Sequence, residues 1–357
     1  MNIKFAAFTS SLALLAGLPA TAWALVADSQ AQRTAPDRIA VTWTDTDPVD
    51  VYVSDRPDAP LKAARRVSEA NRTGRFELAA APNARPYILL RDHGDGRVVR
   101  VAERVLPLKQ GSNFRDLGGY SAAGGKHVRW GLIYRSGGTP MLTDADLATL
   151  AGLRLREIVD LRSSEERVLA PTRINGVRYT AVGYSMDTLM GAQSALPQGD
   201  ARMHEVYRRF PTVLAPQLRV LFQSLIDGDG ALEFNCSAGQ DRTGFASAMI
   251  LTALGVPRDV VFADYHLSTT YRRPEYEMPR FDPATVAANP TAAMFAGYQQ
   301  DPQARKPQPL YDSQHAPLLQ FALAEVEARW GSVDAYLEKE LGVGPADLAK
   351  LRAKYLE

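Results

Sequence analysis

Residues 231–251 read ALEFNCSAGQDRTGFASAMIL. A short apolar run from Ala231 to Phe234 leads into Cys236, the only cysteine in 357 residues. A polar turn containing Gly239 follows, and from about Arg242 a second apolar run has helical length. Strand, tight turn and helix in that order put Cys236 at the carboxyl end of a sheet strand. The start of a helix leaves N–H groups without intrahelical partners and carries the positive end of the dipole, so the turn is an anion site. A thiol held there is favoured in its nucleophilic, anionic form. Arg242 adds a planar fork that matches two phosphate oxygens, and Gly239 allows the backbone to turn without a Cβ collision. Two readings of Cys236 follow: a small buried side chain, the usual fate of a free cysteine, or a nucleophile at the floor of a phosphoryl cradle.

Outward from this stretch, helical and strand patterns alternate. DADLATLAGLRL predicts a helix from Asp144, REIVDLR a short buried strand, LAPQLRVLFQSLID a helix, and FASAMILTALGVP a helix ended by Gly255 and Pro257. That succession predicts an α/β layer arrangement. Residues 258–357 read as mainly helical, interrupted by a proline-bearing polar connection from about Arg273 to Pro309. Residues 30–108 differ. Ile39, Val41 and Trp43 alternate with polar or small residues, as do Val49, Val51 and Val53, and RFELA, YILLR and RVVRVAERV continue the period between turns. This predicts a small immunoglobulin- or fibronectin-like β-sandwich ahead of a second domain at 109–357, a packing or docking module whose partner the sequence does not name.

The first 24 residues, with Lys4, an apolar stretch from Phe5 and Ala22-Trp23-Ala24, have the form of a secretory signal peptide. An exported, periplasmic or secreted chain is expected, with no stable membrane span after processing. A single cysteine forms no internal disulfide, so Cys236 does not staple the fold. The net charge of +1 suggests no nucleic-acid partner. His93, His127, His204, His266 and His315 have no ligand spacing, and neither a metal nor a cofactor is expected.

The loop from Cys236 to Thr243 resembles the C-x5-R-[ST] signature of the cysteine-dependent protein tyrosine phosphatase superfamily. SNFRDLGGY (112–120), WGLIYRSG (130–137) and IVDLRSSEER (158–167) are similar to the bacterial tyrosine and phosphoinositide phosphatase family, whose loop usually reads HCxxGKDRTG. The resemblance runs from about Gly111 to the C-terminus, through ADYHLSTTY and GSVDAYLEKELGV. It implies a tyrosine-phosphatase-like central sheet flanked by helices and a metal-free, two-step transfer. Cys236 would be the nucleophile, with Arg242 and the backbone of Ser237, Ala238, Gly239 and Gln240 around the phosphoryl group and Thr243 beside the sulfur. Asp241 is the implied proton donor, with Asp187 and Asp200 as competitors on an upstream loop.

Asn235 stands where the family usually has His, and Gln240 where it has Lys. Loss of that lysine predicts a lean toward phosphate esters of lower charge, phosphotyrosine before phosphoinositides. Asp160 is read either as lining the pocket or as half of an ion pair with Arg162, and Arg115 and Asp116 as structural; Tyr134 and Arg135 are read as a core tyrosine and a solvated arginine ahead of substrate contacts. RRPEYEMPRFDP is a candidate gate, with Arg272, Arg273 and Arg280 available to an arriving phosphate, or a plain connection. Two alternatives to a working phosphatase stay open: a phosphate-binding module weakened by Asn235 and Gln240, and a rhodanese-type sulfurtransferase, which the C-x5-R spacing disfavours.

Overall fold

A computed structural model describes residues 27–190, 199–306 and 308–357; the leader read at 1–24 lies outside the described residues. Seven strands, paired antiparallel within two sheets, come first among the described residues. β1 (Ala27–Ala35), β2 (Arg38–Thr44) and β5 (Arg75–Ala79) form one sheet, and β4 (Arg65–Asn71), β3 (Val49–Ser54), β6 (Tyr87–Asp92) and β7 (Val98–Ala102) form the other. Inward residues of both, among them Ile39, Val41, Val51, Leu78, Ile88, Leu90 and Val101, share one core, as the alternation requires of a sandwich. Strand β1 begins at Ala27, ahead of the predicted start.

A third sheet has the order β13 (Arg178–Ala181), β12 (Leu155–Asp160), β14 (Ala231–Asn235), β11 (Ile133–Ser136) and β8 (Arg115–Asp116). The first four strands are parallel and β8 runs against β11. β14 is central and every residue in it is buried, which is why its sequence is a continuous run rather than an alternation. A two-stranded ribbon, β9 (Ser121–Ala122) and β10 (Lys126–His127), stands apart.

One face of the sheet is covered by α1 (Asp144–Ala151), whose Leu150 packs with Leu106, Phe114 and Tyr134. Thr143 and Asp146 start this helix as a reciprocal capping box. The other face holds α6 (Asp241–Ala253), buried from Arg242 to Leu251. Apolar or small on all sides, α6 is ringed by further helices. These are α4 (Asp200–Val213), α7 (Arg258–Tyr271), α10 (Leu319–Trp330), α11 (Val333–Lys339) and α12 (Pro345–Tyr355). Three more helices complete this part: α2 (Ser164–Leu169), α3 (Met186–Met190) and α5 (Ala215–Asp227), the last against β12.

The segment from Arg273 to Pro309 is not a plain connection. It contains α8 (Pro283–Ala288) and α9 (Pro290–Gln300), each with proline at its first position and an Asp282 or Asn289 side chain capping the opening N–H groups. Proline and the polar residues that read as helix breakers are here helix starters. No helix among the described residues is long and apolar enough to cross a membrane.

The two sheets systems meet through polar groups. Trp130 joins the sandwich core and donates to Arg100 O at 3.0 Å. Gly118 and Gly119 make room for it, since a Cβ on Gly119 would lie 2.2 Å from the indole. Arg85 of the β region reaches Asp116 at 2.7 Å, and both side chains are buried. Asp116 also accepts from Gly118 N–H and Gly131 N–H, each at 2.7 Å. Arg85→Ala leaves the Asp116 carboxylate two backbone donors and no cation. It is expected to cost about 3 kcal/mol of stability, read as a lower urea midpoint; an unchanged midpoint would show that the pair contributes nothing net.

Candidate active site

Strand β14 ends at Asn235, Cys236 follows, and residues 237–240 turn into α6. The carbonyls of this turn are bound from outside it. Ser237 O accepts from Gly138 N–H at 2.8 Å, Ala238 O from the Asn113 amide at 3.3 Å, and Gly239 O from the Asn113 amide and from Arg135 Nη2, both at 2.7 Å. With no cis peptide among the described residues, each amide N–H points opposite to the carbonyl of the same peptide unit. The N–H groups of Ala238, Gly239 and Gln240 are therefore turned into the loop, and they donate to nothing among the described residues. Gly239 has φ +63°, and a Cβ there would lie 2.4 Å from the backbone of Ser136 and Gly137, so only glycine fits.

Arg242 is held with one edge spent. Its Nη1 and Nη2 donate to the two carboxylate oxygens of Glu166, both at 2.7 Å, and Nη1 also donates to Tyr184 OH at 2.9 Å. That leaves Nε–H and one Nη2 hydrogen, the side-on fork that pairs with two anion oxygens. Glu166 is wholly buried and also takes the Ser237 hydroxyl at 2.6 Å and Ser163 N–H at 2.8 Å. Burial pushes its carboxyl up, but Arg242, Ser237 and Ser163 outweigh that and hold it down at about 2.

Cys236 itself is 1% exposed, so the buried and nucleophilic readings describe the same position, the floor of this loop. The hydroxyl of Thr243 is buried and has no hydrogen-bond partner. Asp241, at the start of α6, is only partly buried and accepts from Tyr207 OH, which in turn shares a 2.6 Å hydrogen bond with Tyr265 OH. Asp187 is exposed on α3, and Asp200 is half-buried and accepts Ser313 N–H at 2.9 Å. Among the described residues neither has a hydrogen bond to the loop.

Asp160 does not face the loop as a binding group. Arg162 donates to it from Nε and from Nη2 (2.6 Å), and Tyr179 OH does so at 2.7 Å. Its one link to the loop is a 3.5 Å contact from Asn235, whose other donor contact, to Cys236 O, is 3.4 Å. Both lie at the long limit of a hydrogen bond. Gln240 is buried, donating to Asp241 at 3.3 Å and accepting from Arg272 Nη1 at 3.4 Å. Arg272 is committed to Glu277, which also takes the Ser112 hydroxyl. Arg273 is committed to the carbonyls of Leu108 and Lys109, and Arg280 is exposed.

Arg135 is not solvated. It is fully buried because Asp264 offers it a carboxylate at 2.5 Å, and Arg115 reaches the same carboxylate at 3.1 Å. Burial and the neighbouring Arg115 push Arg135 down to about 10. The pair of arginines in turn holds the Asp264 carboxyl far below the usual carboxylate range, against its burial. Glu166, Asn113, Arg135, Tyr184, Tyr207 and Asp264 all bear on the loop and had no assigned site role in the sequence. The S-x-x-E spacing of Ser163 and Glu166 signals a helix cap, and the structure has that capping box; the same carboxylate also orients the loop arginine.

Comparison with known proteins places this geometry. Residues 106–357 match the model of the tyrosine phosphatase family, and the chain belongs to that family. A Cupriavidus necator protein provisionally named a tyrosine-protein phosphatase is 38% identical over 254 residues, covering 69% of this chain and 86% of that one. A tyrosine-protein phosphatase of Nostoc commune is 28% identical over 221 residues, covering 60% of this chain and 70% of its own. The triple specificity protein phosphatase PtpB of Mycobacterium tuberculosis is 31% identical over 184 residues, covering 43% and 65%. The chain is an enzyme of the protein-tyrosine-phosphatase type, a phosphoric monoester hydrolase.

Glu166→Gln is expected to release one arm of Arg242 and lower kcat/KM roughly 10²-fold. A carboxyl depressed to about 2 adds stability that is present above its unfolded value near 4.3 and is lost as pH falls toward 2. Acid titration of stability should accordingly be flatter between those limits in the variant; the wild-type slope in both proteins would remove Glu166 from this role.

Proposed function

We propose that this chain is an exported phosphatase that hydrolyses phosphomonoesters, phosphotyrosine first, through a phosphocysteine intermediate. The observation that carries the reading is the set of N–H groups at Ala238, Gly239 and Gln240 without partners among the described residues, in the same turn as Cys236 and the unspent edge of Arg242. Such donors are fixed before the substrate arrives and bear the equatorial oxygens as charge shifts in the transition state. Cys236 Sγ attacks phosphorus, the bond to the leaving oxygen breaks, and that oxygen takes a proton from Asp241. Water then attacks phosphorus and gives a proton to the Asp241 carboxylate as the P–S bond breaks, which returns the Cys236 thiolate and releases inorganic phosphate. Thr243, buried without a partner, is the hydroxyl donor available to the departing thiolate.

Asp241 is preferred over Asp187 and Asp200 because it alone begins the loop helix and is partly open, with Tyr207 holding one carboxylate oxygen. The lean away from polyphosphorylated substrates keeps its support. Arg272 brings a cation to Gln240, but Glu277 neutralises it with two close contacts. Breadth toward phosphoserine, phosphothreonine and phosphoinositides draws on the similarity to the triple specificity enzyme. Export draws on the leader pattern at residues 1–24 alone.

One kinetic panel tests the roles. Cys236→Ser should abolish release of phosphate from an aryl phosphate and the acid-stable trapping of labelled phosphate on the protein; retained turnover defeats the mechanism. Asp241→Asn should slow poor leaving groups at least tenfold more than good ones, a pattern that in Asp187→Asn instead would reassign the acid. Gln240→Lys should raise phosphoinositide over phosphotyrosine activity. For export, N-terminal sequencing of the expressed protein should find Leu25 first, and an intact Met1 in the cytoplasmic fraction contradicts it.

A further inference from the structure

The sandwich carries a cluster of carboxylates that the phosphatase reaction does not use. Asp45 and Asp47 lie in the turn between β2 and β3, and Asp92 is the last residue of β6. One oxygen from each lies within 4.8 Å of the others. Asp92 is 0% exposed; its Oδ1 accepts Gly94 N–H at 2.7 Å, and its Oδ2 has no partner. Asp45 repeats the pattern, with Oδ1 accepting Asp47 N–H at 2.9 Å and a buried Oδ2 left without a partner.

Arg91 and His93 face Asp50, away from the cluster, while Arg97 lies at the rim and pairs with Asp95 at 3.2 Å on the β6–β7 turn, outside the three carboxylates Asp45, Asp47 and Asp92. His93 N–H donates to Pro48 O at 3.0 Å, which ties the two acidic turns together. Burial raises the Asp92 pKa, and Asp45 and Asp95 raise it further. A buried carboxylate oxygen with no donor is costly unless a cation is supplied.

We propose that Asp45, Asp47 and Asp92, with Asp95 at the rim, bind one divalent cation of the calcium type and so brace the two acidic turns. The donor set is all oxygen, without His or Cys, which suits a hard cation. Calcium–oxygen distances near 2.4 Å let one ion reach donors up to about 4.8 Å apart, and its coordination shell tolerates irregular loops; magnesium needs about 2.1 Å and strict octahedral geometry. The expectation of no metal came from the spacing of His and Cys, a search that does not see aspartates brought together from two turns.

The test uses the whole chain, stripped with EDTA and titrated with CaCl2 by calorimetry and thermal melting. One site is expected, with a rise in Tm of roughly 5 °C when calcium exceeds its Kd a hundredfold. Magnesium should bind at least tenfold more weakly. Asp45→Asn and Asp92→Asn should each abolish the rise, and hydrolysis of an aryl phosphate should be unchanged by Asp45→Asn. Without calcium, Asp92→Asn should melt no lower than wild type, since it removes repulsion. Absence of heat and of a Tm shift up to roughly 10 mM calcium, above the range of weak calcium modules, overturns the proposal. An equal shift in both variants, or equal binding of magnesium, does so as well.

Discussion

Ser237, Ala238 and Gly239 each give their carbonyl oxygen to a donor outside the loop: Gly138 N–H, the Asn113 amide, and Arg135. Because trans peptides carry N–H and C=O on opposite sides, binding the carbonyls outward aims the amide hydrogens inward. The anion site is thus made by what surrounds the loop as much as by the loop. Gly137 and Gly138 follow β11, Asn113 precedes β8, and Arg135 lies on β11, so the two strands on that side of β14 shape the cradle.

Those donors need their own anchors, and a buried charge network supplies them. Arg115 and Arg135 share Asp264 of α7, and Tyr120 OH adds a 2.9 Å hydrogen bond to the same carboxylate. Two guanidinium groups around one carboxylate would repel if the acid were lost, so Asp264 is where removing one side chain leaves two buried cations exposed to each other. On the other side of the loop Glu166 serves Arg242 and Ser237 together. Each carboxylate thus fixes an arginine that would otherwise turn freely: Asp264 holds Arg135, which binds Gly239 O of the loop, and Glu166 holds Arg242. The β region is coupled to this frame through Arg85 and Asp116, since Asp116 also holds the turn that admits Trp130.

Much of this was legible along the chain. The apolar run at 231–234, the glycine in the turn and the buried helix after it reported their own structure because each depends on neighbours a few residues away. The alternation from Ile39 to Val53 likewise reported a sheet with one buried face. Arg135 was misread as solvated because its partner, Asp264, lies 129 residues further on. The stretch from Arg273 to Pro309 was read as a connection because proline marks helix ends in isolation, whereas Asp282 and Asn289 place it at helix starts. Asp160 stood between two readings until Arg162 and Tyr179 were seen to occupy its oxygens.

Sequence by itself determined the place of Cys236, the loop arginine, the strand before them and the helix after them, since covalent spacing and local backbone preference set all four. Tertiary structure alone decided which edge of Arg242 stays open and which way the loop amides point. Those depend on Glu166, 76 residues away from Arg242, and on Asn113, 126 away from Gly239. Side-chain pairing across such distances is a matter of packing geometry, and no period or motif along the chain encodes it.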